Sequence, residues 1–127
     1  MRDLTKYRLE RSAEFLDDAN ALLQIGSFKG SINRSYYAIF TAVRALLAEE
    51  EKDFKKHSAV ISYFRQHYIK TKIFDIKFSD YVGNAFRERN SSDYSDFYIA
   101  SRQAAEEQFF HAQEFFNEVR NYLTNKF

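Results

Sequence analysis

Arg87, Glu88, Arg89, Asn90, Asp93 and Tyr94 are the densest group of side chains in this chain that could handle a charged ligand. They fall where helical patterning gives way to turn-forming residues, so a guanidinium here can be aimed into a groove instead of lying along a helix surface. Arginine suits phosphate because its planar fork presents two parallel N–H donors. The plainer alternative is an internal lock, in which Asp93 accepts from Arg89 and the arginines favourably terminate the helix. Both readings put Arg89 at the centre.

Other chemistry has less behind it. His57 and His67 are ten residues apart, about 280° round a helix, and cannot share a metal from one straight helix. No Glu-x-x-His pair of the kind that builds bundle metal sites occurs; Glu106 and His111 are five apart. No G-x-S-x-G turn marks a serine nucleophile, and the three glycines are too scattered to cradle a phosphate. With no cysteine there is neither thiol chemistry nor a disulfide framework. Nothing here calls for a metal or a cofactor. Between Lys52 and Lys77, seven basic residues stand against Asp53 and Asp75. That excess of five is either a solvated face or a track for phosphates, with Tyr63 and Tyr68 available to stack on bases.

These side chains need a scaffold, and composition specifies its class. There is no proline, so little interrupts regular structure, and stretches rich in good helix formers predict an all-α domain over 1–127. Fourteen Phe and nine Tyr predict a ring-rich core, with rings to spare for an oligomer interface. A net charge of +1 gives no global pull toward nucleic acid. Charges through 1–25 leave no apolar stretch for a signal peptide, and no run suits a membrane span, so a cytoplasmic protein is expected.

The segment Ile32–Leu47 organises the rest. Ile32, Tyr36, Phe40, Val43 and Leu47 recur at helical steps, and Ile39, Ala42 and Leu46 widen the stripe. A helix apolar over so much of its girth must be gripped by neighbours on several sides. A first helix is expected over 3–24, ended by Gly26, with Ser27 capping the second. A third starts near His57 or Ser58 and uses Val60, Ile61, Phe64 and Tyr68. A fourth runs from about Asp75 to Arg89, burying Ile76, Phe78, Val82 and Phe86. Asn90–Asp96 reads as an ordered loop. The last helix, capped by Ser101, carries a seam of Ala105, Phe109, Ala112, Phe116, Val119 and Leu123. Phe110 and Phe115 fall off that seam, on a second covered side or on a flank offered to a partner.

Three segments now stand in one order and spacing: Asn33-Arg34-Ser35-Tyr36-Tyr37-Ala38-Ile39-Phe40, Lys56-His57-Ser58-Ala59-Val60-Ile61 and Arg89-Asn90-Ser91-Ser92-Asp93-Tyr94. Together they resemble a HEPN domain of the prokaryotic stand-alone group. The resemblance runs from about Leu4 to Leu123. It implies an up-and-down bundle of four to five helices, pairing as a homodimer and acting beside a minimal nucleotidyltransferase in a toxin–antitoxin-like module. Active members of that family are metal-independent ribonucleases using an arginine, a polar residue and, a few residues on, a histidine. Arg89 and Asn90 match the opening of that motif. Its histidine is missing: Tyr94 and Ser95 stand near its place, and the next histidine downstream is His111. Tyrosine ionises near pH 10, so it shuttles protons poorly at neutrality.

The expected function is therefore binding of a nucleotide or RNA phosphate in a dimer cleft. Arg89 is the main contact, with Asn90, Asp93, Tyr94 and Arg87 shaping the groove, and catalysis is weak or absent. Two alternatives remain: a ribonuclease toxin using Arg89 with Tyr94 or a base such as His57 from another helix, and a purely structural dimerisation module.

Overall fold

A computed structural model describes residues 1–125. It contains five α-helices, and no strand occurs among the described residues: α1 (Asp3–Gln24), α2 (Phe28–Glu49), α3 (His57–Phe64), α4 (Lys77–Tyr94) and α5 (Arg102–Asn125). A single π-helical turn, Arg65–Ile69, extends α3.

Helix α2 is the axis of the bundle. Thirteen of its 22 residues are buried, which no single-faced surface helix could manage, and it touches each of the other four helices. Helices α1 and α2 are antiparallel, because partners descend on one as they ascend on the other. Thr5 Oγ1 donates to Glu49 Oε1, Arg8 to the Arg44 carbonyl, Ser12 Oγ to the Ala38 carbonyl, and Ser31 Oγ to the Ala19 carbonyl. Ser12 and Ser31 are small enough to bring the two backbones close, and their hydroxyls find acceptors instead of being buried unpaired.

Gly26 and Ser101 act in the turns as the sequence suggests, and Ser27 does not. Gly26 takes φ +81°, and the Ser27 amide reaches back to the Leu22 carbonyl at 2.8 Å, closing α1 with a left-handed residue. Ser27 precedes α2 but its hydroxyl makes no capping bond, contrary to expectation. Glu51 does for α2 what Gly26 does for α1, with φ 57° and the Lys52 amide on the Leu47 carbonyl. Ser101 does cap α5, accepting from the Ala104 amide at 3.0 Å.

Two expectations are corrected. Helix α4 begins at Lys77, leaving Ile76 exposed, and it does not stop at Arg89 but continues to Tyr94. The turn formers of 90–94 carry only a modest helical penalty. An Arg89–Asp93 ion pair one turn apart offsets part of it. The loop is thereby shortened to 95–101, where Tyr98 is tied back by donating to Glu88 Oε2, so that burial and this carboxylate push its phenol up to about 12.

The core is dominated by rings. Phe64, Phe74, Phe78 and Phe115 meet with centroids 5.5–6.4 Å apart, locking the end of α3 and the 70s segment onto α4 and α5. The π turn sets Tyr68 inward, where its hydroxyl donates to Glu50.

Candidate phosphate site

The extension of α4 changes what Arg89 can face. On a continuing helix its guanidinium lies across the α2–α4 contact, over the rings of Tyr36 (5.5 Å), Tyr37 (5.7 Å) and Tyr94 (5.8 Å). Nη2 donates to the Tyr37 hydroxyl at 3.1 Å and Nη1 to Asn90 Oδ1 at 3.4 Å. Asp93 Oδ2 is 3.0 Å from Nε, close enough to pair charges, yet the Nε–H is not aimed at it and makes no hydrogen bond. The side chain is 17% exposed and that of Asp93 25%. The internal lock is thus present but incomplete: two hydrogen bonds leave the remaining N–H groups of Arg89 without acceptors.

Helix α3 brings an imidazole beside this cluster. His57 Nδ1 is 2.8 Å from the Tyr36 hydroxyl, and its ring packs 4.1 Å from that of Phe40. Burial, followed by the charges of Arg89 and Arg44, holds His57 below its ordinary pKa, so it is neutral at pH 7. Burial likewise raises the Tyr36 phenol, an effect that Arg89 only partly counters. Tyr36 therefore stays protonated, and one hydroxyl links the imidazole to the ring beneath Arg89.

His57 also borders an open cleft of about 430 Å³ lined with Phe40, Arg44, Asp53, Phe54 and Lys55. Arg44 shares both Asp53 oxygens at 3.2 and 3.4 Å, and Arg8 lies 3.6 Å from the same carboxylate. Burial alone would raise the Asp53 carboxyl, but Arg44, the Phe54 amide and Arg8 hold it below its usual value. Two arginines on one carboxylate, with Lys55 beside them, leave the cleft positive.

Of the residues singled out in the sequence, Arg89, Asn90, Asp93 and Tyr94 meet in one place, although Tyr94 turns most of its ring to solvent. Arg87 does not join them. Two residues from Arg89, it points to another side of α4 and donates to Asn84. His111 is remote as well, stacked 3.9 Å from Tyr81. Tyr36, Tyr37, Phe40 and His57 were in view as parts of two motif segments, but nothing in their spacing showed that they would converge on Arg89.

The low pKa of His57 fixes the sign of an acid effect. The unfolded chain takes up this proton near 6.5 and the folded chain only at lower pH, so stability falls as pH drops through 6.5 toward the depressed value. His111, shifted the same way by burial, adds to the slope. The carboxylates held low, Asp53 and Glu114 among them, act only in more acidic solution. Urea midpoints are expected to decline between about pH 7.5 and 5.5, less steeply in His57→Gln. A flat profile for the unaltered chain would contradict the burial of these rings.

Comparison with known proteins identifies the family. A family profile described as the HEPN domain matches residues 5–122. "Putative toxin MJ0142" of Methanocaldococcus jannaschii is 30% identical over 125 residues, 98% of this chain and 84% of that protein. A UPF0332 protein of Thermotoga maritima is 33% identical over 93 residues, covering 73% of this chain and 70% of its own length. A second M. jannaschii protein, "Putative toxin MJ0605", is 25% identical over 95 residues, 75% of this chain and 71% of that protein.

Proposed function

The chain belongs to the HEPN domain family, and from that premise we propose that it binds an RNA or nucleotide phosphate through Arg89, in a cleft made by two copies of the chain. The observation that carries this reading is the half-satisfied guanidinium. A cation largely enclosed by rings, with N–H donors left over, gains more from an incoming phosphate oxygen than a fully bonded one. Asn90 and Tyr37 orient the fork, and Asp93 is the internal anion that a phosphate must compete with. The exposed rings and chains of Tyr94, Phe97 and Ile99, just beyond Arg89, suit burial against a second copy. On family grounds the pair would work beside a minimal nucleotidyltransferase, as a toxin-type protein. The names carried by two relatives support that role.

A second reading is RNA cleavage, and the His57–Tyr36 contact favours it. In the tautomer whose Nδ1–H donates to the Tyr36 oxygen, Nε2 has a lone pair free to take a proton. The 2′-oxygen of the ribose would attack phosphorus while His57 takes its proton. Arg89 would offset the added charge, and the P–O bond to the 5′-oxygen would break, that oxygen gaining a proton from water.

Titration with labelled single-stranded RNA tests the binding claim. The chain is expected to bind, with log affinity falling against log salt by about 0.7 for each phosphate engaged. No binding at low salt would sink the reading. Incubation of RNA in excess EDTA tests the second: cleavage by the unaltered chain and none by His57→Asn, with binding retained, is the outcome it requires.

A further inference from the structure

Arg65 and Arg87 form a second cationic seat on the other side of α4, separate from the Arg89 cluster. It is a groove of about 210 Å³ between α3 and α4, floored by Gly83 and edged by Ser58, Ser62 and Phe86. Gly83 is what makes room for it: a Cβ there would come within 2.6 Å of Arg65 Nη2 and 3.5 Å of Arg87 Nη1. The two guanidiniums are thus gathered over one glycine. Among the described residues neither has a carboxylate within 4.0 Å. Arg65 donates to Ser79 Oγ and, more loosely, to the Ser79 carbonyl, while Arg87 donates to the Asn84 amide oxygen. These neutral acceptors position the arginines without neutralising them. Like charges held together over an open groove favour an anion between them.

The groove adjoins the Arg89 site. Phe86 lines it and lies 6.2 Å from Tyr36, the ring on which Arg89 rests. Ser58, at its edge, follows His57 directly in α3. One aromatic wall therefore separates two seats for anions. A lone mononucleotide has no use for the second, whereas a strand carries a phosphate at every residue. We propose that the Arg65–Arg87 groove holds a further phosphodiester of the same strand, which makes the ligand of the Arg89 site a single-stranded RNA segment and not a free nucleotide. This rests on the Arg89 reading.

The test is anisotropy titration with a 12-nucleotide single-stranded RNA and, separately, with AMP. Arg65→Gln/Arg87→Gln is expected to weaken the 12-mer by about tenfold and flatten its salt dependence, leaving AMP affinity unchanged. Gly83→Ala, which displaces the Arg65 guanidinium while keeping every charge, should reproduce part of the loss. Arg87→Gln alone, whose only bonded neighbour is Asn84, provides a variant with little structural cost. Unchanged 12-mer affinity in these variants, alongside weakened binding in Arg89→Ala, would overturn the groove and spare the Arg89 site. A loss in the groove variants with none in Arg89→Ala would keep the groove and sink the Arg89 assignment. Equal weakening of AMP and the 12-mer by the groove variants would overturn the strand reading.

Discussion

Arg89→Ala is expected to bind single-stranded RNA ten- to a hundredfold more weakly, the range that follows from losing charge-assisted hydrogen bonds of about 1.5–3 kcal/mol. Asp93→Asn should move affinity the other way or leave it unchanged, because it removes the carboxylate 3.0 Å from Nε and releases the fork. A loss of affinity in Arg89→Ala with none in Asp93→Asn is what separates a ligand site from a lock. If Arg89 serves only to fasten α4, both substitutions lower the melting temperature and neither alters RNA affinity. Arg89→Ala also costs folding stability in either case, because Tyr36 beneath the guanidinium is buried, although Asp93 is exposed enough to be rehydrated. Anisotropy titration together with thermal melting of the two variants measures both quantities.

Phe115→Ala should cost about 3–5 kcal/mol, a large share of the roughly 5–15 kcal/mol that holds a domain of this size together. Phe115 is fully buried and its ring meets Phe64 edge-on at 5.5 Å, Phe78 at 5.8 Å and Phe74 at 6.4 Å. Its removal leaves a cavity bounded by three other large rings on separate elements, which cannot all move in to fill it. At about 4 °C per kcal/mol, the melting midpoint should fall by more than about 10 °C. Phe110→Ala is the control. Five residues earlier on the same helix, Phe110 is 61% exposed, and its truncation should change stability by less than about 0.5 kcal/mol. A loss below about 1 kcal/mol for Phe115→Ala would mean the ring cluster is looser than described.

The contrast between Phe110 and Phe115 marks a limit of periodicity. Both fall off the seam defined by Ala105, Phe109, Ala112, Phe116, Val119 and Leu123. Spacing alone could not tell which was covered by α3 and α4 and which was left to solvent. The seam itself was legible: except for half-buried Phe109, every member is buried. Helix α2 was equally plain, since its apolar stripe is wide enough to require neighbours all round. Gly26 at the end of α1 and Ser101 at the start of α5 could be read from residue type, because a left-handed turn and a capping hydroxyl are local requirements. The end of α4 was misjudged for a related reason. The turn formers of 90–94 speak locally for a loop, while the Arg89–Asp93 pair one turn apart favours helix.

By itself the sequence determined an all-α chain and a central α2 and singled out Arg89 as a candidate, because helical period, capping chemistry and the choice of a guanidinium are written within a turn or two of each residue. Only the tertiary structure decided what surrounds Arg89. Tyr37 is 52 residues away in the chain and supplies a hydroxyl, while His57 reaches Tyr36 across 21 residues and sets an imidazole beside it. Arg87, its near neighbour, is turned toward Arg65 instead. Such meetings depend on how α2, α3 and α4 are rotated and set against one another. That is fixed by packing across the whole core and leaves no periodic trace in any one segment.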